Sequence, residues 1–493
     1  MSLGTATSAF PPENSEEDQR SVLRYPLMLW AEFPSLPSGE LLTSLLHEFY
    51  HNFAPATPFF LSWARLSGEA PPYLVVAMAL LGAAVAEEVH LSSWVGNLWR
   101  ASWSLVLGAL EVDNSLSRNA EWVQAALLLV LYGTLQADSA TWTRVQACAG
   151  WCDTITHRMH LMKVPSNQNG QQEIAHGANS KVMTGLLKTY LLVDVLRAIH
   201  LHSIPTVRLS EVSLQLENND DFQSIYQWLL TGKGSTPASL SPDDHVFLLF
   251  ALLAEIVSLQ HSLTALVRPD MSANHIPPSI GSVPRSSADA EYYNPLLPHS
   301  ASAEYIRCKQ RLSRALSRWL SLSSVLPEHG ARVAEIDRPV TPVYHFCCMT
   351  LEADSKMWLL PALVGYEPFT NDDFPSRLKD DPSSRPALVD LHFSDAASSS
   401  AWKILDQIGF DVQTVTTVGD MELSVSPVWS AIILFYAALV VWARMIEDQN
   451  HPTKGGVQLS RKKIMGTFMA ELEKIRPRWG CIPKMVATLK NLD

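Results

Sequence analysis

Charged residues and cysteines are both scarce in this 493-residue sequence. Asp, Glu, Lys and Arg make up only 17% of it, whereas hydrophobic residues make up 47%. Disordered chains combine low hydrophobicity with high net charge, so this composition excludes a largely disordered protein. The length predicts one large helical unit or two that pack closely together. The six cysteines are scattered, which favours reduced thiols inside the cell over a disulfide framework.

Long apolar runs and positive charge are also in short supply. The longest apolar runs, Leu74–Ala86 and Val428–Ala443, are shorter than the roughly 18–20 residues that a membrane span needs, so both are predicted to be buried helices. The formal net charge of -12 opposes binding to phosphate backbones and to anionic membrane surfaces. We therefore expect no membrane association, and contact with DNA only through another module or protein.

Common catalytic signatures are missing from the sequence, apart from one metal-binding motif. There is no P-loop, no G-x-G-x-x-G between a strand and a helix, and no G-x-S-x-G. His47, Glu48 and His51 do match H-E-x-x-H, in which two histidines on one helix face bind zinc and the glutamate activates water. Here they lie opposite a stripe of Leu and Phe, where solvent is expected. The candidate third ligands, Glu87 and Glu88, follow a wholly apolar helix that is not typical of a zinc peptidase. We predict surface histidines; a zinc peptidase of helical fold is the alternative.

The other candidate residues are predicted to be structural, since the histidines lack carboxylate or cysteine partners at ligand spacing and buried cysteines are usually packing residues. They are the cysteines Cys148, Cys152, Cys308, Cys347 and Cys348, the histidine pairs His157 with His160 and His200 with His202, and the acidic residues Glu217, Asp220 and Asp221. Cys148 and Cys152 lie four residues apart, so a metal or redox pair is the alternative for them. The sequence therefore assigns no catalytic, metal-binding or cofactor-binding residue, and no cofactor.

Apolar periodicity indicates helices along most of the chain. The predicted helices are Glu40–Phe53, Leu74–Ala86, Trp122–Leu135, Trp142–His160, Met183–His200, Ala303–Ser323, Val340–Leu363 and Pro427–Ile446. The predicted loops, rich in Pro, Gly, Asn or Ser, are Ser166–Asn179, Gly232–Asp243, Pro269–Ser300, Glu367–Pro386 and Asp448–Gly456. Only Val412–Val418 alternates like a strand. The predicted fold is all-α, a large irregular helical bundle or array with long disordered loops.

The two ends of the chain differ in charge. Residues 1–24 are polar and acidic and are predicted to be a disordered leader. Residues 454–493 hold nine Lys or Arg and three Asp or Glu, a net charge of +6. Because Arg461, Lys462 and Lys463 are adjacent, this segment is either a solvated helix face, which we expect, or a patch for nuclear import or a partner protein.

Four stretches, taken in order, resemble the regulatory (middle homology) domain of fungal zinc-cluster and zinc-finger transcription factors. They are Leu45–Phe60 (LLHEFYHNFAPATPFF) with the apolar helix from Leu74, Val123–Thr134 with the helix after it, Tyr190–Leu216 (YLLVDVLRAIHLHSIPTVRLSEVSLQL), and the pair Val343–Leu363 and Ser426–Ala443. The last stretch, SPVWSAIILFYAALVVWA, is similar to the zinc-finger branch in particular. Each stretch consists mainly of packing residues, so the resemblance depends on their order and spacing.

This resemblance implies a helical regulatory domain over residues 25–446, with a loop insertion at 269–300, and a basic helical tail at 447–493. It implies a nuclear transcriptional regulator rather than an enzyme, controlling a metabolic or secondary-metabolite gene cluster through protein partners or a small-molecule inducer. The family reads DNA through a zinc module ahead of this domain, yet no cysteine precedes Cys148. DNA contact is therefore expected through a missing zinc module or a DNA-binding partner. A scaffold or co-repressor without a ligand is the remaining alternative.

Overall fold

The protein is all-α in a computed structural model that describes residues 38–57, 59–60, 70–86, 91–163, 173–218, 220–234, 240–267, 299–323, 340–366, 393–415, 425–450, 461–476 and 478–492. Its main helices are α1 (Gly39–Glu48), α2 (Pro72–Val85), α3 (Leu91–Val112), α4 (Ala120–Thr134), α5 (Ser139–Arg158), α6 (Glu173–His200), α7 (Phe222–Thr231), α8 (Pro242–Val267), α9 (His299–Ser323), α10 (Thr341–Ala353), α11 (Asp395–Val415), α12 (Ser430–Asn450), α13 (Arg461–Lys474) and α14 (Cys481–Lys490). In these ranges there is no strand, only two isolated bridges. The all-α prediction is confirmed.

Two helices that are apolar on every side, α2 and α4, pack against each other in the core. In α4 every residue from Trp122 to Thr134 is buried. A Cβ on Gly82 of α2 would lie 1.9 Å from the carbonyl oxygen of Leu45 in α1. The backbones of α1 and α2 therefore approach to a distance that only glycine permits.

Several helices begin at polar N-caps whose side chains accept a backbone N–H, as expected for Ser, Asn and Asp before an apolar run. The caps are Ser38 for α1, Asn119 for α4, Asp138 for α5 and Asp221 for α7. The acidic run Glu217, Asp220 and Asp221 thus contains a helix cap, which is a structural role.

The basic C-terminal region packs into the same core as the N-terminal helices. The amide of Arg478 donates to the carbonyl of Ala84 at 2.9 Å, and the amide of Cys481 donates to that of Leu135 at 2.9 Å. Trp479, between them, is buried and contacts the ring of Phe53 edge-on. Lys462 and Lys463 on α13 are exposed.

One helix in the described part of the chain is long and apolar enough to cross a membrane, the segment Ser430–Glu447 of α12. In this structure 78% of that segment is buried inside the protein, with neighbouring helices α10, α11 and α13 against it. It is the core helix that its apolar run predicts, since a buried core helix passes the same length test.

The structure corrects several predicted boundaries. Helix α6 begins at Glu173, inside the predicted loop Ser166–Asn179, and α9 begins at His299 instead of Ala303. The segment Val412–Val418, which alternates like a strand in the sequence, is helical as far as Val415, where α11 ends. Its alternation marks the end of an amphipathic helix, because short periodic runs do not distinguish the two.

Further differences concern helix ends. The first helix does not stop before Pro55, because a π-helical turn (Phe49–Phe53) carries the chain into a last turn at Ala54–Ala56. The region predicted as one helix at Val340–Leu363 is α10, a 3-10 turn and a final helical turn. The predicted leader (1–24), residues 269–298 of the insertion and the loop Glu367–Pro386 lie outside the described residues.

Candidate functional site

The H-E-x-x-H histidines lie at the end of α1 in an arrangement that does not suit a shared metal ion. The rings of His47 and His51 are stacked, with their centroids 3.9 Å apart and their planes at 12° to each other. Nδ1 of His51 lies 3.1 Å from the carbonyl oxygen of His47. The ring nitrogens use lone pairs in the ring plane, so two stacked rings direct them side by side and not at one point. Both histidines are exposed, as predicted, and Glu48 accepts a hydrogen bond from Asn52 at 2.6 Å.

No group of three or more His, Cys, Asp or Glu side chains within the described residues is arranged to hold a metal ion. All six thiols are free. Cys148 and Cys152 are buried on α5, and burial raises the pKa of Cys148 to about 12. A thiol that stays protonated is a weak nucleophile and metal ligand. The structure therefore places these cysteines in the core, as the sequence predicted.

Of the two histidines at the end of α6, His200 is a core residue and His202 is half-buried. Burial lowers the pKa of His200 to about 3 and that of His202 to about 4. His202 bonds to the hydroxyl of Tyr436 at 2.9 Å, and His200 lies edge-on to the ring of Trp142. Both are neutral packing residues under physiological conditions.

An open cleft of about 700 Å³ lies between the last turns of α5 and the segment that follows α6. Helix α5 contributes Asp153, Thr154, His157 and Arg158 to one side. The other side consists of Ile204, Pro205, Thr206 and Arg208. The cleft therefore combines charges of both signs with one apolar side chain, Ile204, at its edge.

The wall at 204–208 is fixed by a buried ion pair on the last turns of α6. Asp194 and Arg197 are each 3% exposed and are joined by a 2.6 Å bond from the guanidinium to Oδ1. The other carboxylate oxygen of Asp194 accepts the backbone amides of Thr206 (2.6 Å) and Val207 (2.9 Å). The carboxylate therefore attaches the segment beyond Pro205 directly to the helix.

The guanidinium of Arg197 holds the turn that leads into this wall. It donates to Oγ of Ser203 at 2.9 Å and to the side chain of Gln146 on α5 at 2.6 Å. His202, two residues beyond the end of α6, has a left-handed φ of 51°. The two walls of the cleft are thus connected to each other by the same buried arginine.

On the α5 side of the cleft, a histidine lies between two carboxylates. Nδ1 of His157 lies 3.3 Å from Oδ1 of Asp153, and Nε2 lies 3.5 Å from Oε2 of Glu211. Asp153 also accepts the hydroxyl of Tyr190 at 3.0 Å, and burial raises the pKa of that tyrosine well above its usual value. The prediction that His157 lacks a carboxylate partner at ligand spacing is wrong, because Asp153 stands four residues before it on the same helix face.

Sequence reasoning missed this cleft, although one signal was present. The spacing of Asp153 and His157, and the acidic and basic residues Arg208 and Glu211 beyond Pro205, can be read from the sequence. Nothing in the sequence says that the two segments meet, because their contact depends on the buried pair of Asp194 and Arg197.

Comparisons with known proteins identify no relative of this chain. No family model matches this chain, and neither a curated protein nor a solved structure matches it.

Proposed function

We propose that this chain is a transcriptional regulator of fungal type that works in the nucleus on a metabolic or secondary-metabolite gene cluster. It reaches DNA through a partner protein or a separate zinc module, and it performs no catalysis. The helical body serves as the part that receives a signal from a partner or a small molecule, because buried helices with two alternative packings can be biased by a ligand that prefers one of them.

The observation that carries the proposal is the physical role of the third matching stretch. In that stretch the resemblance consists of an aromatic-Leu-Asp helix, a proline and a short polar-apolar segment, here with Tyr190, Asp194 and Pro205. Asp194 accepts the two amides that follow Pro205. The shared pattern thus corresponds to a helix and the segment bonded to it, which supports the resemblance beyond a general match of apolar residues.

The arrangement of the H-E-x-x-H segment favours this proposal over the metallopeptidase alternative. A catalytic zinc ion takes three protein ligands and keeps an open position. Stacked and exposed, His47 and His51 provide neither converging lone pairs nor a third ligand among the residues described around them.

A reporter experiment tests the proposal. The whole chain is fused to a heterologous DNA-binding domain and expressed in a fungal host with the matching operator upstream of a reporter gene. We expect reporter transcription to change at least severalfold relative to the DNA-binding domain alone. The exposed variant Asp395→Ala is the control that should keep the effect, because its side chain is 92% exposed.

An unchanged reporter, with the fusion protein nuclear and folded, would contradict the proposal. Fluorescence of the same fusion and its protease resistance establish those two conditions in the same cells.

A further inference from the structure

The cleft between α5 and the segment at 204–208 carries two arginines on opposite sides. Arg158, at the last residue of α5, is exposed and makes no ion pair with a residue that the structure describes. Arg208 does pair, with Glu211 at 3.1 Å, but its side chain is 72% exposed. Ion pairs of this exposed kind contribute little, so a ligand carboxylate can share or replace the partner at small cost.

Beside the two arginines, the cleft offers an apolar surface. Ile204 is 52% exposed, whereas Pro205, which follows it at the edge of the cleft, is buried. Proline restricts the backbone, and Asp194 fixes the next two amides, so this surface is held in place before any ligand arrives. A preformed surface costs little ordering entropy on binding.

The acidic residues near the cleft are already engaged. Asp153 accepts the hydroxyl of Tyr190 and lies against His157, while Glu211 accepts from Arg208, which lowers the pKa of Glu211. Oδ1 of Asp153 and Oε1 of Glu211 therefore already have partners, whereas the guanidinium of Arg158 makes no ion pair among the described residues. The guanidinium of Arg158 therefore favours a negatively charged ligand in this cleft.

We propose that this cleft binds a small organic carboxylate with an apolar body. The carboxylate lies between the guanidinium groups of Arg158 and Arg208, and the apolar body covers the side chain of Ile204. Binding itself is independent of the proposed regulatory function; only the role of this acid as the inducer rests on that function. An acid without an apolar part, or an apolar molecule without a charge, uses only half of the surface.

The test uses the purified full-length chain and 3-phenylpropanoate as the probe, measured by calorimetry and by saturation-transfer NMR. The two comparison ligands are 3-phenylpropan-1-ol, which lacks the charge, and acetate, which lacks the ring. We expect 3-phenylpropanoate to bind with a Kd on the order of 1 mM or tighter, and both comparison ligands to bind at least about fivefold more weakly.

Matched variants locate the site. Arg158→Gln and Arg208→Gln should each weaken binding by roughly three- to fivefold, as for one exposed ion pair, and the double variant by more than tenfold. Arg307→Gln is the control for Arg208, because it is 75% exposed and pairs with Glu304 three residues away. Arg144→Gln is the control for Arg158, because it is exposed on the same helix outside the cleft.

The proposal is overturned if 3-phenylpropanoate does not bind at a concentration of 10-fold the expected Kd. It is also overturned if the alcohol binds equally well, or if the double variant keeps its affinity for the acid. These results are independent of the reporter experiment. A chain that regulates transcription but does not bind the acid refutes the cleft site alone.

Discussion

Removing the carboxylate of Asp194 should destabilise the protein far more than removing an exposed aspartate. The side chain receives four hydrogen bonds of 2.6 to 3.0 Å, from Arg197, from the amide and hydroxyl of Thr206, and from the amide of Val207. Asp194→Ala leaves the guanidinium of Arg197 buried without its counter-charge and two amides without an acceptor. Both effects act in the same direction.

The magnitude follows from the burial of the pair. Breaking one partner of a buried ion pair costs about 3–5 kcal/mol, because an uncompensated charge remains inside the protein. This is a large part of the roughly 5–15 kcal/mol by which domains are stable. The matched control is Asp395→Ala, which removes an ion pair with Arg444. Because the side chain of Asp395 is 92% exposed, the loss of this pair should lower the free energy of unfolding by about 1 kcal/mol or less.

Urea unfolding, followed by tryptophan fluorescence, measures both variants. We expect a large decrease in the unfolding midpoint for Asp194→Ala and a small one for Asp395→Ala. The double variant Asp194→Ala with Arg197→Met should be more stable than Asp194→Ala alone, because the stranded charge is gone. Equal midpoints for the two alanine variants, or no recovery in the double variant, would refute the reasoning.

Three other predictions concern packing, pH and metal. Gly82→Ala should lower the unfolding midpoint markedly, because its Cβ would meet the backbone oxygen of Leu45, whereas Gly150→Ala, with open space around it, should be neutral or stabilising in the same urea titration. Burial lowers the pKa of His200 to about 3, so below about 6.5 the unfolded chain binds more protons and stability falls as the pH drops. His200→Gln should make this fall shallower between pH 7 and 5; equal slopes in the wild type and His200→Gln would contradict the assignment. Metal analysis of the purified chain should find no stoichiometric zinc. A zinc ion that is present in the wild type and lost in His47→Ala would support the peptidase alternative.

Much of the helical architecture could be predicted because its signal is local. The apolar runs that begin at Leu74 and Trp122 follow from helix geometry, and the structure confirms both as helices. Helix α3 was not predicted, although its Trp99 donates to the carbonyl of Leu129 in the core. Its buried stripe of Val95, Trp99, Trp103 and Val106 recurs at steps of three and four, so this helix could have been predicted from its periodicity.

The cleft could not be predicted, because it depends on contacts between distant residues. The sequence shows that Asp194 lies in an apolar helix. It does not show that a carboxylate oxygen of Asp194 accepts hydrogen bonds from the amides that follow Pro205. The bond from Arg197 to Gln146 joins residues 51 positions apart. Periodicity and short motifs describe single elements, whereas this site forms where two elements are held together by one buried ion pair.

The most direct test of a regulatory function is nascent transcription after rapid depletion of this chain in its native cells. We predict that transcription of a small, clustered set of metabolic genes changes within minutes, before other RNAs respond. Unchanged nascent transcription, with the protein fully depleted, would contradict the account.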